Sequence, residues 1–455
     1  MTLRFGLDPS WRRPGDGRVV IAGSPLRLFR LTEGGAEVMR RVEAGEPVTE
    51  VQARFLDRFV AAGALHPVHD SSPFTVADVT VVVPAFGVAP DVGRLLACSV
   101  AAVVVVDDGS APPITVAPLD HGGVITVRLA TNSGPAAARN AGLERVATPL
   151  VAFVDTDVEV GHDWMVSLLP HFADPAVAVV APRVASSGGD SAVASHDARN
   201  SSLDLGAQAA RVSPGTRVSY VPSAALVARV DVVRAAGGFD PAMRTGEDVD
   251  LVWRLIAAGH RVRYEPTSVV HHLPRATLGS MLRQRRSYGR SAAPLAQRHP
   301  GALAPVRMSG WSLAVWSLAI LRRPWSALGL TLATFTVFVR RFRDVPATEA
   351  ARLVLGGHLA AGRQLAGALV RVWWPIAVPL TMLFRRLRLP AAIALVAPAV
   401  GRAIGARRLA PLADLPLQVL AEGAYAVGVW EGVAATGDAS PLLPTITTWP
   451  QRGDG

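Results

Sequence analysis

The sequence predicts an α/β fold in which a Rossmann-like domain follows a small N-terminal module and precedes an apolar helical tail. Four short runs of β-branched residues occur between positions 79 and 154, with helix-like stretches between them. Such runs are typical of a parallel sheet covered by helices on both faces. Shorter strand and helix patterns precede them, and broken apolar segments follow. We therefore expect three regions: residues 1–75, 76–290 and 291–455.

Residues 1–75 are expected to form a small α+β module. Apolar residues are first continuous, as in short buried strands, and then recur at helical spacing. The predicted order is two strands, two helices and an extended segment: residues 19–21, residues 26–31, a helix from Thr32, a helix that opens at residues 47–49 and stops at Gly63, and residues 65–68.

The second region is expected to contain four parallel strands, the first of which ends at Pro84. The strands comprise residues 79–83, 103–106, 124–129 and 150–154. Open α/β sheets bind ligands beyond the carboxyl ends of their strands. The residues that follow these strands are therefore the first candidates for a functional site.

An acidic pair, Asp107 and Asp108, ends the second strand, and Gly109 and Ser110 follow it. Glycine and serine favour a sharp turn, and carboxylates beside that turn can accept hydrogen bonds from uracil and ribose. The competing interpretation is a strand-end turn that binds no ligand.

A second acidic pair, Asp155 and Asp157, ends the fourth strand. Carboxylates two residues apart lie on the same side of an extended segment, so that together they can chelate one hard divalent cation. That cation would in turn bridge a diphosphate. The alternative interpretation is the solvated start of a loop.

Residues 132–142 combine a Gly/Pro turn with a helix of small residues that begins at Gly134. The N-terminus of a helix attracts phosphate groups. Arg139 and Asn140 are candidates to face the ligand, since helix propensity alone does not require an Arg-Asn pair.

A glycine and a cluster of acids, residues 246–250, open another predicted helix. A carboxylate at this place is commonly a helix cap. Placed beside a sugar, Asp248 could instead remove the proton of an attacking hydroxyl group as a general base.

A basic segment, residues 283–290, carries four arginines and a tyrosine. It could clamp a diphosphate with an aromatic ring beside it, or be a solvated basic helix on an anionic membrane, and the two roles are compatible. The neighbouring His271 and His272 can contact a metal or serve the fold alone, and both interpretations stay open. The candidates for the clamp are Arg283, Arg285, Arg286 and Tyr288.

Charge is distributed unevenly along the chain. Residues 1–270 contain 24 arginines and 29 acidic residues, whereas residues 271–455 contain 22 arginines and 7 acidic residues. The basic part also holds the apolar segments, none of which reaches the roughly 18–20 residues of a clear membrane-spanning helix. We therefore expect helices associated with an anionic membrane surface and no binding to nucleic acid. The segments are residues 309–321, 326–339, 372–384 and 389–401.

The compartment can also be predicted from the sequence. Cys98 is the single cysteine, which fits a reducing cytoplasm, and residues 1–17 lack the apolar core of a signal peptide. The expected location is the cell membrane, with the second region on its cytoplasmic side.

Six motifs, taken together and in this order, resemble the family 2 inverting glycosyltransferases with the GT-A fold. They are VTVVVPAF (79–86), DDGS (107–110), NSGPAAARNAG (132–142), VDTD (154–157), GGFD (237–240) and GEDVDL (246–251). The resemblance implies a metal-dependent hexosyltransferase that uses a nucleotide-sugar donor.

Residue roles follow from this resemblance. Asp107 and Asp108 would hold the nucleoside, Asp155 and Asp157 would hold Mg²⁺ or Mn²⁺, and Asp248 would be the catalytic base. Processive members of the family carry Gln-x-x-Arg-Trp, from which residues 284–288 (QRRSY) depart. The donor side would also include Pro84, Arg139, Arg283, Arg285, Arg286 and Tyr288, and the acceptor side Gly238, Phe239, Asp240 and Glu247.

Residues 19–68 resemble the small PqqD-like winged-helix domains, which recognise peptide precursors in ribosomal-peptide pathways. The segments that carry this resemblance are LRLFRLTEGGAEVMRRVEAGEPV and ARFLDRFVAAGALHPV. A module of this type, a GT-A core and an apolar tail together resemble enzymes that add β-1,4-linked glucose to a peptide-derived redox cofactor. The resemblance implies UDP-glucose as the donor and a short glucan as the product.

Three other functions are each compatible with part of the sequence. The same chemistry on a cell-wall glycan or polyprenyl lipid is favoured by the tail and disfavoured by the N-terminal module. A DNA-binding regulator would need a basic recognition helix, but the helix from Glu50 carries Asp57 as well as Arg54 and Arg58. An inactive membrane scaffold would not need the intact acidic motifs.

Overall fold

The computed structural model describes residues 3–116, 123–406 and 410–447. Its chain divides into two compact units: Met1–Arg13 with Val20–Pro274, and Pro14–Val19 with Arg275–Gly455. The boundaries predicted at residues 75 and 290 stay predictions.

The N-terminal part of the first unit folds around its own apolar core. Met39, Leu56, Phe59 and Leu65 are fully buried there. Strand β1 was not predicted; it pairs antiparallel with β4, and the other predicted elements are present. The elements are β1 (Arg4–Leu7), β2 (Val19–Ala22), β3 (Arg27–Arg30), α1 (Glu33–Glu43), α2 (Glu50–Ala61) and β4 (Leu65–Val68).

Two threonines set the starts of the helices in this module. The Thr32 side chain accepts a hydrogen bond from the Gly35 backbone, and Thr49 forms a reciprocal capping box with Gln52. Such caps satisfy backbone N–H groups that have no partner within the helix. They explain why the predicted helix starts agree with the structure.

A mixed sheet of nine strands, counted over the described residues, forms the centre of the first unit. The strand order is β11-β13-β10-β12-β8-β5-β6-β7, and β9 pairs with β13. The elements are β5 (Val79–Ala85), α3 (Val92–Ala97), β6 (Ala102–Asp107), β7 (Val124–Arg128), α4 (Pro135–Glu144), β8 (Leu150–Val154), β9 (Val158–Glu159), β10 (Val177–Ser186), α5 (Ala192–Arg199), β11 (Ala210–Arg211), β12 (Ala225–Arg229), α6 (Val230–Ala235), α7 (Glu247–Ala257) and β13 (Arg261–His272).

The predicted parallel arrangement holds for the four strands that the sequence indicated, and β10 and β13 are parallel to each other as well. Strands β5, β6, β7 and β8 are parallel, as expected from their apolar runs, whereas β12 runs antiparallel between β8 and β10. The apolar pattern of a strand reports its burial and carries no information about its direction. The fold class is therefore confirmed as α/β, with a mixed sheet.

A buried charge network joins the N-terminal module to this sheet within the first unit. Arg217 Nη2 donates to Asp8 Oδ2 over 2.8 Å, and Arg263 Nη2 donates to His66 Nδ1 over 3.0 Å. Because arginine only donates, His66 carries its proton on Nε2, which lies 3.2 Å from Asp8 Oδ2. Burial raises the pKa of Asp8, but bonds from His66, Arg217 and Ser10 outweigh it and hold that pKa well below its usual value.

Replacing Asp8 with Asn is expected to destabilise the first unit by about 3 kcal/mol, because Arg217 would lose a buried counter-charge. Thermal unfolding of the purified chain measures this change. The control is Glu37→Gln, which breaks an exposed pair with Arg40 and should cost less than about 0.5 kcal/mol. Equal effects of the two substitutions would contradict a stabilising role for the network.

The second unit is mainly helical. Helix α8 packs along α16 at very short range: a Cβ added to Gly428 would lie 2.0 Å from the Arg286 carbonyl oxygen. The elements are α8 (Leu278–Arg290), α9 (Ala292–Arg298), β14 (Arg307–Ser309), α10 (Gly310–Ile320), α11 (Pro324–Arg341), α12 (Ala347–Arg371), α13 (Trp374–Leu383), α14 (Arg385–Ala406), α15 (Ala410–Ala413), α16 (Leu415–Thr436) and β15 (Thr445–Thr447).

Two helical segments of this unit are long and apolar enough to cross a membrane, Ala347–Arg371 and Arg385–Ile404. The sequence prediction counted only uninterrupted apolar residues, whereas α12 continues through Arg352, His358 and Arg363. Long arginine side chains can extend to a membrane surface and so interrupt an apolar run without ending the helix.

Candidate active site

The carboxyl ends of the parallel strands meet at one edge of the sheet. Strand β5 lies between β6 and β8, and Pro84 pairs in register with Val106, one residue before Asp107. Asp155 directly follows β8. The sheet thus brings the DDGS and VDTD motifs to the same edge, as the sequence predicts.

Asp107 shapes the turn that follows β6. Its Oδ1 accepts from the Ser110 backbone at 2.9 Å, and its Oδ2 accepts from the Ile114 backbone at 3.2 Å and from the Arg128 guanidinium. Burial raises the pKa of Asp107, but these hydrogen bonds and the Arg128 charge outweigh it, so that the pKa lies below its usual value. Asp107 is therefore an ionised side chain that organises the turn.

Asp108 caps helix α4. Its Oδ1 accepts from the Ser133 backbone at 2.7 Å, and its Oδ2 accepts from the Gly134 backbone at 2.8 Å. A carboxylate offers about four lone-pair sites, so contacts with a nucleoside would add to these bonds. The predicted nucleoside-binding role of Asp107 and Asp108 remains a prediction.

Arg139 lies at the centre of the acidic motifs and is only 3% exposed. Its Nη2 donates to Asp155 Oδ1 and its Nη1 to Glu247 Oε1, both at 2.7 Å. The guanidinium also lies over the Phe239 ring, 5.4 Å from its centroid. Arg139 therefore connects α4, the end of β8 and the start of α7, and its guanidinium contacts protein side chains from all of these segments.

Asp248 is held at the start of α7 close to this cluster. The Ser223 backbone donates to its Oδ2 at 3.1 Å, and the Val249 backbone donates to its Oδ1 at 2.8 Å. Burial raises the pKa of Asp248 to about 6, the Glu247 charge adds to this rise, and Arg139 opposes it. A carboxylate with such a pKa is suited to accept a proton near neutral pH.

The GGFD segment is fastened to α4 by Asn140. The Asn140 Nδ2 donates to the Phe239 carbonyl oxygen at 2.7 Å, and the Phe239 backbone donates back to Asn140 Oδ1 at 2.9 Å. Gly238 has φ +70°, and a Cβ there would lie 2.5 Å from Asn140 Oδ1, so that only glycine fits.

Phe239 supports the site from behind. Its side chain is 1% exposed and packs edge-on against Phe153, with the ring centroids 5.0 Å apart. The prediction that Phe239 faces the acceptor therefore applies, at most, to its backbone. Asp240 accepts from the Ala242 backbone at 2.9 Å, and Glu247 is buried against Arg139.

The structure separates the roles of the two adjacent histidines. His272 Nε2 lies 3.2 Å from Asp157 Oδ2, whereas His271 is exposed. Successive side chains of a strand point to opposite faces, and both residues belong to β13. His272 thus contacts the second acidic motif, and His271 is directed away from it.

The residues at this edge are suited to a divalent cation whose remaining ligands would come from the phosphate groups of a bound substrate. Burial raises the pKa of Asp155, Arg139 opposes this rise, and the charge of the neighbouring Asp157 adds to it. The described residues contain no cluster of three or more His, Cys, Asp or Glu that could hold a metal by itself. Mg²⁺ is commonly bound through one or two carboxylates, with phosphate oxygens and water completing the set.

The arginines predicted to clamp the donor lie on α8 in the second unit. Arg286 Nε donates to Glu431 Oε2 at 3.0 Å, and Tyr288 accepts from Gln284 at 3.0 Å through its hydroxyl group. Arg286 is thus engaged by a carboxylate of its own unit. The roles of Arg283, Arg285, Arg286 and Tyr288 toward a donor remain predictions.

Three contacts of the site were missed at the sequence level. They are the Ser223 backbone on Asp248, Arg128 on Asp107, and the loop contact of Asn140. Asn140 had been predicted to face the ligand. The position of Asn140 beside Arg139 in the ARN segment was a local sign of a functional role. The contacts of Ser223 and Arg128 depend on the tertiary fold, so no local pattern indicates them.

Comparison with solved structures finds glycosyltransferases at low similarity. A mannosyltransferase from Pyrobaculum calidifontis, in complex with GDP-Man and Mn²⁺, aligns with a TM-score of 0.43 and 17% identity, over 84% of this chain and 94% of that chain. S. aureus TarS 1–349, in complex with UDP, aligns with a TM-score of 0.33 and 16% identity, over 47% and 65% of the two chains.

Comparison of sequences is more specific. Residues 80–233 match the model of glycosyl transferase family 2. The pre-mycofactocin glycosyltransferase of Mycobacterium tuberculosis is 39% identical over 461 residues, which cover 97% of each chain. The succinoglycan biosynthesis protein ExoO of Rhizobium meliloti is 30% identical over 46% of this chain and 64% of its own length. The chain is a glycosyltransferase and belongs to the family of the pre-mycofactocin glycosyltransferases, with a catalytic domain of glycosyl transferase family 2.

Proposed function

We propose that the protein transfers glucose from UDP-glucose to the peptide-derived redox cofactor mycofactocin or its precursor, with inversion, and builds a short β-1,4-glucan. Near-full-length similarity to a pre-mycofactocin glycosyltransferase supports the acceptor. The donor base, the sugar and the linkage rest on the resemblance alone. The PqqD-like module would recognise the peptide-derived part of the acceptor.

The observation that carries the chemical proposal is the placement of Asp248. Its raised pKa, about 6, lets it accept the proton of the acceptor hydroxyl at neutral pH. One base and one displacement step give inversion at the anomeric carbon. The bond from the acceptor oxygen to C1 forms as the bond from C1 to the UDP oxygen breaks, and the proton passes to Asp248.

Asp155 and Asp157 are the residues that would hold Mg²⁺ or Mn²⁺. When bound, the cation would offset negative charge on the leaving diphosphate. Arg139 would keep Asp155 oriented, and His272 would do the same for Asp157 through their contact. Mn²⁺ and nucleotide sugars occur together in complexes of glycosyltransferases, such as the mannosyltransferase described above.

A cell-wall glycan or polyprenyl-lipid acceptor is the second candidate. The two long apolar segments, 347–371 and 385–404, favour it, because they would bring the catalytic domain to a membrane. In either case we infer that the protein lies at the cell membrane, that an anionic membrane surface attracts its arginine-rich tail, and that the catalytic domain is cytoplasmic.

The transfer rate should depend on pH through Asp248. The base acts in its deprotonated form, so kcat/KM should be level above about pH 7 and fall about tenfold per unit below pH 6. The effect is measured by a pH profile of kcat/KM over about four units around this pKa, from about pH 4.5 to 8.5. A rate that rises as the pH falls would contradict the assignment.

A donor screen tests the proposed function. Purified full-length protein is incubated with Mg²⁺ or Mn²⁺, one nucleotide sugar at a time, and the peptide-derived acceptor, and products are read by mass spectrometry. A ladder of hexose additions with UDP-glucose is the expected result. Metal-dependent hydrolysis of a UDP-sugar without transfer to this acceptor would favour the lipid or glycan acceptor instead.

A further inference from the structure

Arg139 binds two carboxylates of the active site at the same time. One guanidinium donates to Asp155 Oδ1 and to Glu247 Oε1, each at 2.7 Å, although these residues lie on separate elements. Asp155 is one of the two carboxylates suited to a divalent cation. An arginine and a metal ion cannot both occupy the same carboxylate lone pair.

Negative charge at this site exceeds the positive charge provided by Arg139. Asp155, Asp157, Glu247 and Asp248 all lie at or beside it, and His272 contacts Asp157. The side chains of Asp155 and Asp157 are 30% and 32% exposed, so that water compensates their charges only in part and the site is suited to a further cation. Without that cation, Arg139 supplies the strongest compensation.

Arg139 is itself incompletely satisfied where it lies. Its Nε is buried and has no hydrogen-bond partner among the described residues. A buried donor without an acceptor costs about 1–3 kcal/mol relative to a paired one. Arg139 would therefore gain a hydrogen bond if its guanidinium kept the contact with Glu247 while its other nitrogens turned toward a new acceptor.

We propose that Arg139 is a resident cation of the active site, which neutralises Asp155 in the free enzyme and yields that carboxylate oxygen to the divalent cation when the donor binds. Glu247 anchors the guanidinium throughout. Arg139 is thus a positioning residue that links metal binding at β8 to the start of α7, where Asp248 lies. This inference rests on the proposed metal site at Asp155 and Asp157.

Titration of the full-length protein with Mn²⁺ alone, followed by calorimetry or electron paramagnetic resonance, tests this role. Arg139→Gln removes the competitor, so the variant should bind Mn²⁺ at least about tenfold more tightly than the wild type. Its kcat should nevertheless fall, because Asp155 and Glu247 lose their common support. A purely structural role would weaken both metal binding and catalysis.

The matched control is Arg128→Gln, which removes an arginine from Asp107 at the end of β6, two strands away from β8 in the sheet. Its affinity for Mn²⁺ should stay within about twofold of the wild type, since a screened charge at a distance has little effect. Equal tightening of Mn²⁺ binding in both variants, or no tightening in Arg139→Gln, would overturn the proposal.

If Arg139→Gln does not fold, Arg139→Lys replaces it. The lysine ammonium group cannot bridge two carboxylates equally well, so Mn²⁺ binding is expected to tighten by a few-fold. A wild type that binds no Mn²⁺, with or without UDP, would instead refute the metal site of the proposed function.

Discussion

Substitution of Asp248 by Asn is expected to lower kcat by about 10²–10⁴-fold, because an amide cannot accept the proton of the acceptor hydroxyl. The amide retains nearly the same shape, and its carbonyl oxygen can still accept from one of the two backbone N–H groups, of Ser223 and Val249, that bind Asp248. Only one neutral hydrogen bond at the start of α7 is lost, at a cost of about 1–3 kcal/mol. The site should therefore keep its fold. Initial rates measured at saturating donor report the change.

Binding of UDP with Mn²⁺ should remain within about threefold of the wild type in Asp248→Asn, since the proposed base does not hold the donor. Asp231→Asn, on the exposed first turn of α6, is the matched control and should leave both quantities unchanged. Equal loss of donor binding and turnover would contradict the role of Asp248 as a base. So would retention of full activity.

Substitution of Asp157 by Asn should abolish metal-dependent donor binding, with a loss of roughly 100-fold or more in affinity for UDP and Mn²⁺. It removes one of two carboxylate charges at the end of β8 and leaves the other engaged by Arg139. Calorimetric titration of UDP in the presence and absence of Mn²⁺ measures the effect.

Two further substitutions serve as comparisons for Asp157→Asn. Glu159→Gln removes an exposed carboxylate from the following short strand β9 and should leave the affinity unchanged. His272→Asn should have an intermediate effect of about tenfold, because His272 contacts Asp157 and would only orient it. An Asp157→Asn variant that still binds UDP in a Mn²⁺-dependent manner would show that the metal lies elsewhere.

The elements around the site could be predicted because their signals are local. The continuous valine runs at β5 and β6 predict buried strands, and the acids beyond them fall at the carboxyl ends. Gly134 and Pro135 mark the start of α4 in the same way. The common edge of these motifs follows from the parallel order alone.

The partners of the acidic motifs could not be predicted from local patterns. Glu247 is 108 residues from Arg139 in the chain, and Asp155 is 16 residues away. Their contact depends on how α7 packs beside α4 and β8. For the same reason, the sequence suggested that Arg139 faces the donor, whereas the structure buries it between two carboxylates.

The direction of β12 and the lengths of the tail helices also escaped prediction. The short apolar run of β12 is compatible with either direction, since burial is equal in both. In the tail, arginines and prolines within α12 and α14 divided the apolar pattern without breaking the helices. Packing between neighbouring helices compensates for such residues.

The configuration of the first product distinguishes a single displacement promoted by one base from a mechanism of two displacements. The full-length enzyme is supplied with UDP-glucose, in which the sugar is α-linked, and with the peptide-derived acceptor under conditions that allow one transfer. The anomeric proton of the new linkage is then read by nuclear magnetic resonance. A β-linked glucose is the predicted result. An α-linked glucose would require a second displacement or a different mechanism, and would contradict the role assigned to Asp248.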